Sequence, residues 1–523
     1  MRNLDTPVKQ IRRKIFTEIA KIGFESTDES MIHDIESIPY NIVEERAKYR
    51  ESIYRERAVA SERVRLAMGL SLRPENRSVH LTDGVKASNI DEKYYEPPLM
   101  QVIPSACSAC ESNKYEVSNM CRGCVAHPCL LTCPKGAISM VNGHSYIDQE
   151  KCVHCGKCKS VCPYDAISKK ERPCSRACGV KAIGSDEFGR AKIDNEKCVS
   201  CGMCMVSCPF GAISDKSQIY QLARSLKEGN EIIAEIAPAF VGQFGSMEPK
   251  DVHAALETLG FSEVYEVALG ADIGAVSEAK HYAEKVATGE LPFLLTSCCP
   301  SWSMLAKKYF PTMIDNISQE LTPMVATARS IKQEHPDAKV VFIGPCAAKK
   351  LEASRRSVRS DVDFVITFEE LVGMFDAKGI DMGEKENAHS MHDATAAGRG
   401  YAVAGGVAGA IEECLKAYYP DVTPKIIHAE GLAECKKTLA LAKAGKINGC
   451  LIEGSLEHSV VGRGCIIKKG AVIKNCVVLS GAYIGENVHI ENQVVDKHAK
   501  ITHVKELTSS EDRPGYVRRN DTL

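Results

Sequence analysis

Short apolar runs recur through the middle of the chain: Glu231 to Ala237, Glu263 to Leu269, Leu291 to Leu295, Lys339 to Ile343, Phe364 to Thr367 and Lys446 to Ile452. Runs this short, bounded by Pro and Gly, predict buried strands. Helical stretches such as Asp251 to Leu259 and Ser277 to Ala287 separate them. That alternation predicts an α/β domain with parallel sheets covered by helices. Ahead of it, Val8 to Ile22 carries helical periodicity, and Ile42 to Leu70 reads as one long charged helix packed against the neighbouring domain. After residue 454 the period changes. Val460, Ile466, Val472, Val478, Ile484 and Ile490 recur every six residues, with Gly462, Gly470, Gly481 and Gly485 between them. This is the hexapeptide pattern of a parallel β-helix, in which each turn stacks one aliphatic on the next. A coil takes about three hexapeptides, so residues 455–504 predict fewer than about three coils. An open solenoid edge favours pairing with another chain, so oligomerisation through this segment is expected.

At 523 residues the chain is too long for one core. The pattern divides it into four segments: a helical region (1–95), a cysteine-rich region (96–225), the α/β domain (226–454) and the hexapeptide segment (455–523). The formal charge of −2 implies neither a nucleic-acid nor a membrane-surface partner. No run of 18 apolar residues exists to span a membrane. The opening residues are basic but are followed by no apolar core, so no secretory signal is read and a cytoplasmic location is expected.

Cysteine changes the picture. Of 24 cysteines, 16 lie between Cys107 and Cys208. In a long chain with CxxC spacings this density reads as metal binding rather than disulfides. Cys152-x2-Cys155-x2-Cys158-x3-Cys162-Pro163 and Cys198-x2-Cys201-x2-Cys204-x3-Cys208-Pro209 both match the ferredoxin run. Three thiolates on a tight loop grip three corners of a 4Fe–4S cube, and the fourth cysteine turns to the neighbouring cube. Applied to these two runs, the rule pairs Cys152, Cys155 and Cys158 with Cys208, and Cys198, Cys201 and Cys204 with Cys162. Zinc is the alternative, but this spacing and order suit it poorly. A looser run precedes them, Cys121-x2-Cys124-x4-Cys129-x3-Cys133-Pro134, and Cys107, Cys110, Cys174 and Cys178 remain. The tails CPKGAI, CPYDAI and CPFGAI repeat, with CGVKAI a degenerate fourth, so the region is internally duplicated. Four cysteines per cube would give four cubes; two or three also stay open.

Two further stretches carry candidate chemistry. One is Thr296-Ser297-Cys298-Cys299-Pro300-Ser301-Trp302, and the other runs from Gly344-Pro345-Cys346 through Lys349 to Glu352. Each comes after an apolar run, which suits a site at the carboxyl edge of a sheet. Adjacent cysteines diverge, so one can bind a metal while the other does another job. These stretches, with the cysteine-rich region before them, resemble the iron-only (FeFe) hydrogenases over roughly residues 100–454. The resemblance implies a two-lobed α/β catalytic domain and reversible hydrogen oxidation, with electrons passed along the cubes to a ferredoxin or other redox protein. It also implies maturation proteins and an H-cluster, a cube joined to a diiron unit with carbonyl, cyanide and dithiolate ligands. By resemblance, Cys299 and Cys346 are two of the four cube ligands, Cys298 is the proton-passing thiol, and Lys349 donates to a cyanide. Pro238 and Glu352 would join Lys349 around the cofactor. Glu278 aligns with a relay carboxylate, and His281 lies one turn on.

The family's third signature should place two cysteines four apart soon after Glu453-Gly454. Glu457 and Val461 stand there instead, and neither replaces a thiolate. Cys450 and Cys465 are 15 apart and do not fit. The text SVVGRGCIIKKGAVIKNCVVLSGAYIGENVHI resembles the C-terminal left-handed β-helix of bacterial glucose-1-phosphate adenylyltransferases. Two unrelated sequences thus meet near 454/455, and the H-cluster site is expected to be impaired. An electron-transfer or cluster-carrying protein without hydrogen chemistry is the other reading.

Overall fold

The computed structural model describes residues 5–88, 97–111, 113–296, 298–355, 357–358, 361–381, 391, 394–443, 451–452, 455–462 and 465–523. The chain forms two compact units, Met1–His428 and Ala429–Leu523.

The first unit is centred on a four-stranded parallel sheet. Its order is Glu263–Glu266, Ile232–Ile236, Lys339–Gly344, Phe364–Thr367. Strands covered on both faces read as continuous apolar runs, which is why Ile232–Ile236, Lys339–Gly344 and Phe364–Thr367 were legible. The run predicted as a strand through Leu269 turns helical at Val267, and that helix continues to His281. Leu291–Leu295 forms no strand. Leu295 makes an isolated parallel bridge with Ile317, and with no neighbouring strand among the described residues the run has no ladder to join. Of the run predicted at Lys446–Ile452, residues 446–450 lie outside the described residues. Leu451–Ile452 pairs with Ile466–Ile467 and so belongs to the solenoid, not to the α/β sheet.

The helical N-terminal region is part of this unit's core. Helix Pro7–Glu25, capped by Thr6, buries Ile15, Phe16 and Ile19 in the same apolar cluster as the strands. Of the single helix expected over Ile42–Leu70 only Ile53–Ala67 forms; Ile42 ends a preceding helix, Met31–Ile42, and residues 43–52 are not helical. The break is held by Glu56, whose carboxylate accepts from the backbone N–H groups of Lys48, Tyr49 and Arg50, and by Arg57, which donates to the Val43 and Glu44 carbonyls. Satisfying those backbone groups outside a helix removes the reason to continue it.

The cysteine-rich region is one unit of two antiparallel strand pairs inserted in another of the same kind. Strand Lys114–Val117 pairs with Ile167–Lys170, enclosing the hairpin Ile138–Val141/His144–Ile147. Outside it, Met100–Val102 pairs with Ile213–Asp215, and Ile183–Ser185 pairs with Ala191–Ile193. Residues 114–170 therefore interrupt a unit made from 100–110 and 173–215.

The second unit carries a parallel solenoid with three faces of four strands each, from Leu451–Ile452 to Gly515–Val517. Four rungs exceed the fewer than three coils expected from residues 455–504, because strands are added at both ends. The strict six-residue register also drifts. Partners lie 17 residues apart, as in Ile466, Tyr483 and Lys500. The stacked interior is Ile467, Ile473, Val478, Ile484, Ile490, Val495 and Ile501, whereas Val460 is exposed and Ile466 and Val472 are half-buried.

Candidate iron–sulfur and hydrogenase-like site

The cysteine loops share one backbone design. Ahead of the second cysteine of each CxxC, residues Ala109, Gly123, His154 and Ser200 have φ between 46° and 56°. Three residues after each fourth cysteine, Gly136, Asp165, Lys181 and Gly211 have φ between 47° and 57°. Left-handed backbone at non-glycine positions persists only where its surroundings over-determine it, and it marks functional loops. The third cysteine of each loop sits on a short helix and is buried: Cys129, Cys158, Cys174 and Cys204. The repeated tail has a local cause. The N–H groups of Ala137, Ala182 and Ala212 donate to Cys133, Cys178 and Cys208 Sγ at 3.3, 3.2 and 3.4 Å.

The sets that gather differ from the pairing expected from the two regular runs. Cys107, Cys110, Cys174 and Cys208 line one cavity, and Cys133, Cys152, Cys155 and Cys158 line another. Cys178 is an electrostatic neighbour of Cys201 and Cys204. Cys129, Cys133, Cys152, Cys158 and Cys162 share one cluster of apolar contacts. The expected pairing of Cys208 with the Cys152 loop, and of Cys162 with the Cys198 loop, is therefore corrected. Cys208 instead lines the cavity of Cys107, Cys110 and Cys174, and Cys133 that of Cys152, Cys155 and Cys158, so these two fourth cysteines cross over within their own strand-paired unit. The insertion hid this, because the two regular runs belong to different units. Among the described residues, no three His, Cys, Asp or Glu side chains close around a single metal ion. Four cysteines around a cavity, with N–H groups aimed at their sulfurs, fit a cube rather than one ion.

The two other cysteine stretches converge. Cys299 caps helix Pro300–Tyr309, and Trp302 Nε1 closes its loop onto the Thr296 carbonyl at 2.7 Å; Ser297 lies outside the described residues. Cys346 comes after strand Lys339–Gly344 and precedes helix Ala348–Ala353. A Cβ on Gly344 would stand 2.5 Å from the Phe342 ring and 3.1 Å from Ala237, so only glycine lets the strand ends close here. That brings Pro238 to the same carboxyl edge. Burial pushes the Cys346 thiol up, and the neighbouring Cys299 adds to the rise. Burial likewise pushes Cys298 up to about 12, next to Cys299, Lys349, Glu278 and Glu352. Lys349 Nζ donates to Glu352 Oε2 at 2.7 Å, and both are buried. Glu278 is buried on helix Val267–His281, and His281 is half-buried on its last turn.

This pocket abuts the cysteine loops. A Cβ on Gly202 would lie 4.0 Å from Ala347, and Lys308 donates to the Glu196 and Cys198 carbonyls at 2.7 and 2.9 Å. Two members went unseen in the sequence. Glu235 is fully buried in strand Ile232–Ile236, with neither oxygen hydrogen-bonded and with Lys349 and Glu352 as charged neighbours. Tyr401 has Glu278 and Cys298 as neighbours, and its hydroxyl is pushed up by burial. The signal for Glu235 was present: one acid inside an otherwise apolar strand.

The residues at the family's third motif do not fit an H-cluster. Glu457 is exposed on the solenoid strand Ser455–Glu457, and Val461 lies on the solenoid strand Val460–Val461. Cys465 is buried in the solenoid interior, its thiol donating to the Leu479 carbonyl at 3.2 Å. Cys450, Glu453 and Gly454 lie outside the described residues.

Residues 230–465 match the family described as iron only hydrogenase large subunit, C-terminal domain. Residues 145–168 and 191–214 match the 4Fe-4S binding domain, and 435–518 match the GlmU-like C-terminal hexapeptide. Iron hydrogenase 1 of Clostridium pasteurianum is 28% identical over 42% of this chain and 42% of its own length. The periplasmic Fe hydrogenase large subunit of Nitratidesulfovibrio vulgaris is 28% identical over 53% of this chain and 68% of its own. The cytosolic Fe-S cluster assembly factor NAR1 of Meyerozyma guilliermondii is 28% identical over 27% of this chain and 29% of its own. The chain thus spans less than half the length of the first of these relatives. No helix among the described residues is long and apolar enough to cross a membrane. The chain is thus similar over residues 230–465 to the iron only hydrogenase large subunit, C-terminal domain, with matches to the 4Fe-4S binding domain before it and to the GlmU-like hexapeptide toward its C-terminal end.

Proposed function

We propose that this chain is an iron–sulfur oxidoreductase of the hydrogenase family whose intact chemistry is electron transfer and whose hydrogen-activating pocket is half built. Four cubes would be held by Cys107, Cys110, Cys174 and Cys208; by Cys121, Cys124, Cys129 and Cys162; by Cys133, Cys152, Cys155 and Cys158; and by Cys178, Cys198, Cys201 and Cys204. The observation that carries this reading is the pair of cavities each lined by four cysteines. A bound cube supplies one-electron redox chemistry. The protein supplies thiolates, N–H donors to sulfur and burial, which together set the potential. The loop of Cys198 and Cys201 beside Ala347 would connect this wire to the Cys299/Cys346 pocket. A ferredoxin or similar redox protein would exchange electrons at the other end. Oligomerisation through the solenoid remains part of this reading, as does a cytoplasmic location.

The pocket's own residues can hold a proton at Cys298 Sγ and fix Lys349 through Glu352. With two thiolates where four are needed, no hydrogen step is derived. Intact hydrogenase activity is the second reading, favoured by the convergence of Cys298, Cys299, Cys346 and Lys349. Anaerobic reconstitution with the hydrogenase maturation proteins tests both. The expected result is about sixteen irons per chain, four for each cube, without infrared bands of iron-bound carbonyl or cyanide and without hydrogen evolution. Such bands together with hydrogen evolution would favour the second reading. Iron for only two cubes would overturn the four-cube assignment.

A further inference from the structure

Arginines border the cavity of Cys107, Cys110, Cys174 and Cys208, and most of them come from the N-terminal helical region. Arg50 Nη2 donates to the Ala106 carbonyl at 3.2 Å and to the Phe210 carbonyl at 2.9 Å. Arg55 Nε donates to the Ser105 carbonyl at 2.8 Å, and Arg63 Nη2 to the Gly211 carbonyl at 2.5 Å. From the other side, Arg172 donates to the Cys110 carbonyl at 2.9 and 3.2 Å. Each acceptor is a ligand candidate or lies within three residues of one.

These partners are neutral carbonyls, so the cations are anchored without being neutralised. Among the described residues, Arg55 alone of the four also pairs with a carboxylate, that of Glu51. Arg63 is the extreme case. It is 5% exposed, and its Nε and Nη1 have no hydrogen-bond partner. Its charged neighbours are Arg12 and Arg50, which repel it, and Glu369 and Cys208, which attract it; Glu369 is itself hydrogen-bonded to Arg12. A buried cation in a cationic neighbourhood is costly unless an anion faces it. Four thiolates around a cube are such an anion. The cavity of Cys133, Cys152, Cys155 and Cys158 is bordered instead by Lys135 and Lys157, both exposed. Water and salt screen those lysines, whereas buried Arg63 and Arg172 act through a weaker dielectric.

We propose that Arg50, Arg55 and Arg63 of the N-terminal helical region, with Arg172, are positioning residues that hold the cube at Cys107, Cys110, Cys174 and Cys208 at the highest reduction potential in the chain. Reduction adds one negative charge to the cube, and fixed buried cations favour the reduced form. That site is then the chain's electron sink, and the N-terminal helices are part of its electrostatics.

The inference rests on the four-cube reading, and one experiment separates the two. The full-length reconstituted chain is titrated by EPR-monitored redox potentiometry, with iron counted in the same samples. Cys110→Ser assigns the signal, since it should alter that cube's spectrum alone. The expected result is one midpoint above the rest, lowered in Arg63→Gln, largely restored in Arg63→Lys, with the other midpoints unmoved. Arg50→Gln combined with Arg55→Gln, at half-buried positions, should shift the same midpoint the same way, and it decides the case if Arg63→Gln fails to fold. Full iron with every midpoint unmoved, or with all shifted alike, would overturn the electrostatic role. Wild-type iron short of four cubes would overturn the underlying reading instead.

Discussion

Lys350 Nζ lies 2.7 Å from Asp215 Oδ2, and the lysine is wholly buried. It also donates to Glu370 at 2.8 Å, and Arg12 reaches Asp215 at 3.5 Å. Asp215 ends the strand that leaves the Cys208 loop, and Lys350 is on the helix after Cys346, so the pair ties the two cysteine regions together. Burial alone would raise the Asp215 carboxyl, but Lys350 and Arg12 outweigh it and hold it below its usual range. Burial alone would lower the Lys350 ammonium, but Asp215 and Glu370 outweigh that and raise it. Removing one partner strands buried charge, which costs about 3–5 kcal/mol. Lys350→Met should lose about that much at pH 7 in chemical denaturation. A depressed carboxyl contributes stability above its unfolded pKa and loses it as pH falls. The deficit of Lys350→Met should therefore shrink below the Asp215 reference value of 3.8. A constant deficit into acid would show that the charge is not what matters.

The crossing of cysteines between loops has a signature in iron content. Cys133 lines the same cavity as Cys152, Cys155 and Cys158. Cys133→Ala with Cys155→Ala damages one cube and should lose about four irons. Cys133→Ala with Cys124→Ala damages two and should lose about eight. Equal losses from the two double variants would overturn the pairing.

Most of the α/β sheet was legible because its strands are buried on both faces, so that Ile232–Ile236 and Phe364–Thr367 stand out as apolar words. The ferredoxin runs were legible from spacing alone. Their pairing was not, since residues 114–170 separate Cys110 from Cys174 and sequence proximity misleads. Leu291–Leu295 looks like a strand, but strand formation needs a neighbour that no local pattern supplies. Arg63 read as one charge on a charged helix; only the fold brings it beside the Gly211 carbonyl.

Glu235 offers a test in which removing a charge should stabilise. Its carboxyl is pushed well up by burial, with Lys349 opposing and Glu352 adding to the effect. Folding therefore binds a proton that the unfolded chain releases above its reference value of 4.5. Stability should fall as pH rises from there. Glu235→Gln keeps the shape and abolishes this loss, worth roughly 1.4 kcal/mol per unit of displacement. The variant should match the parent near pH 4 and exceed it in stability at pH 8. Equal stability at both pH values would mean that Glu235 ionises freely in the folded protein.

The solenoid register sets two adjacent isoleucines apart. Ile467 is fully buried against Ile484 and Ile473, while Ile466 is half-buried on the outer face. Side chains alternate along a strand, so a slip of one residue would exchange the two. The sequence repeat of six puts Ile466 inside; the 17-residue coil puts Ile467 inside. Ile467→Ala should lower the stability of the second unit by about 2–5 kcal/mol, the cost of an unfilled core position. Ile466→Ala should cost under about 1 kcal/mol, since it loses only partial burial. Thermal unfolding of the two variants decides between the registers, and iron content should be unchanged in both because the candidate cube ligands lie in the other unit. A larger loss from Ile466→Ala than from Ile467→Ala would reverse the register and restore the strict hexapeptide stack.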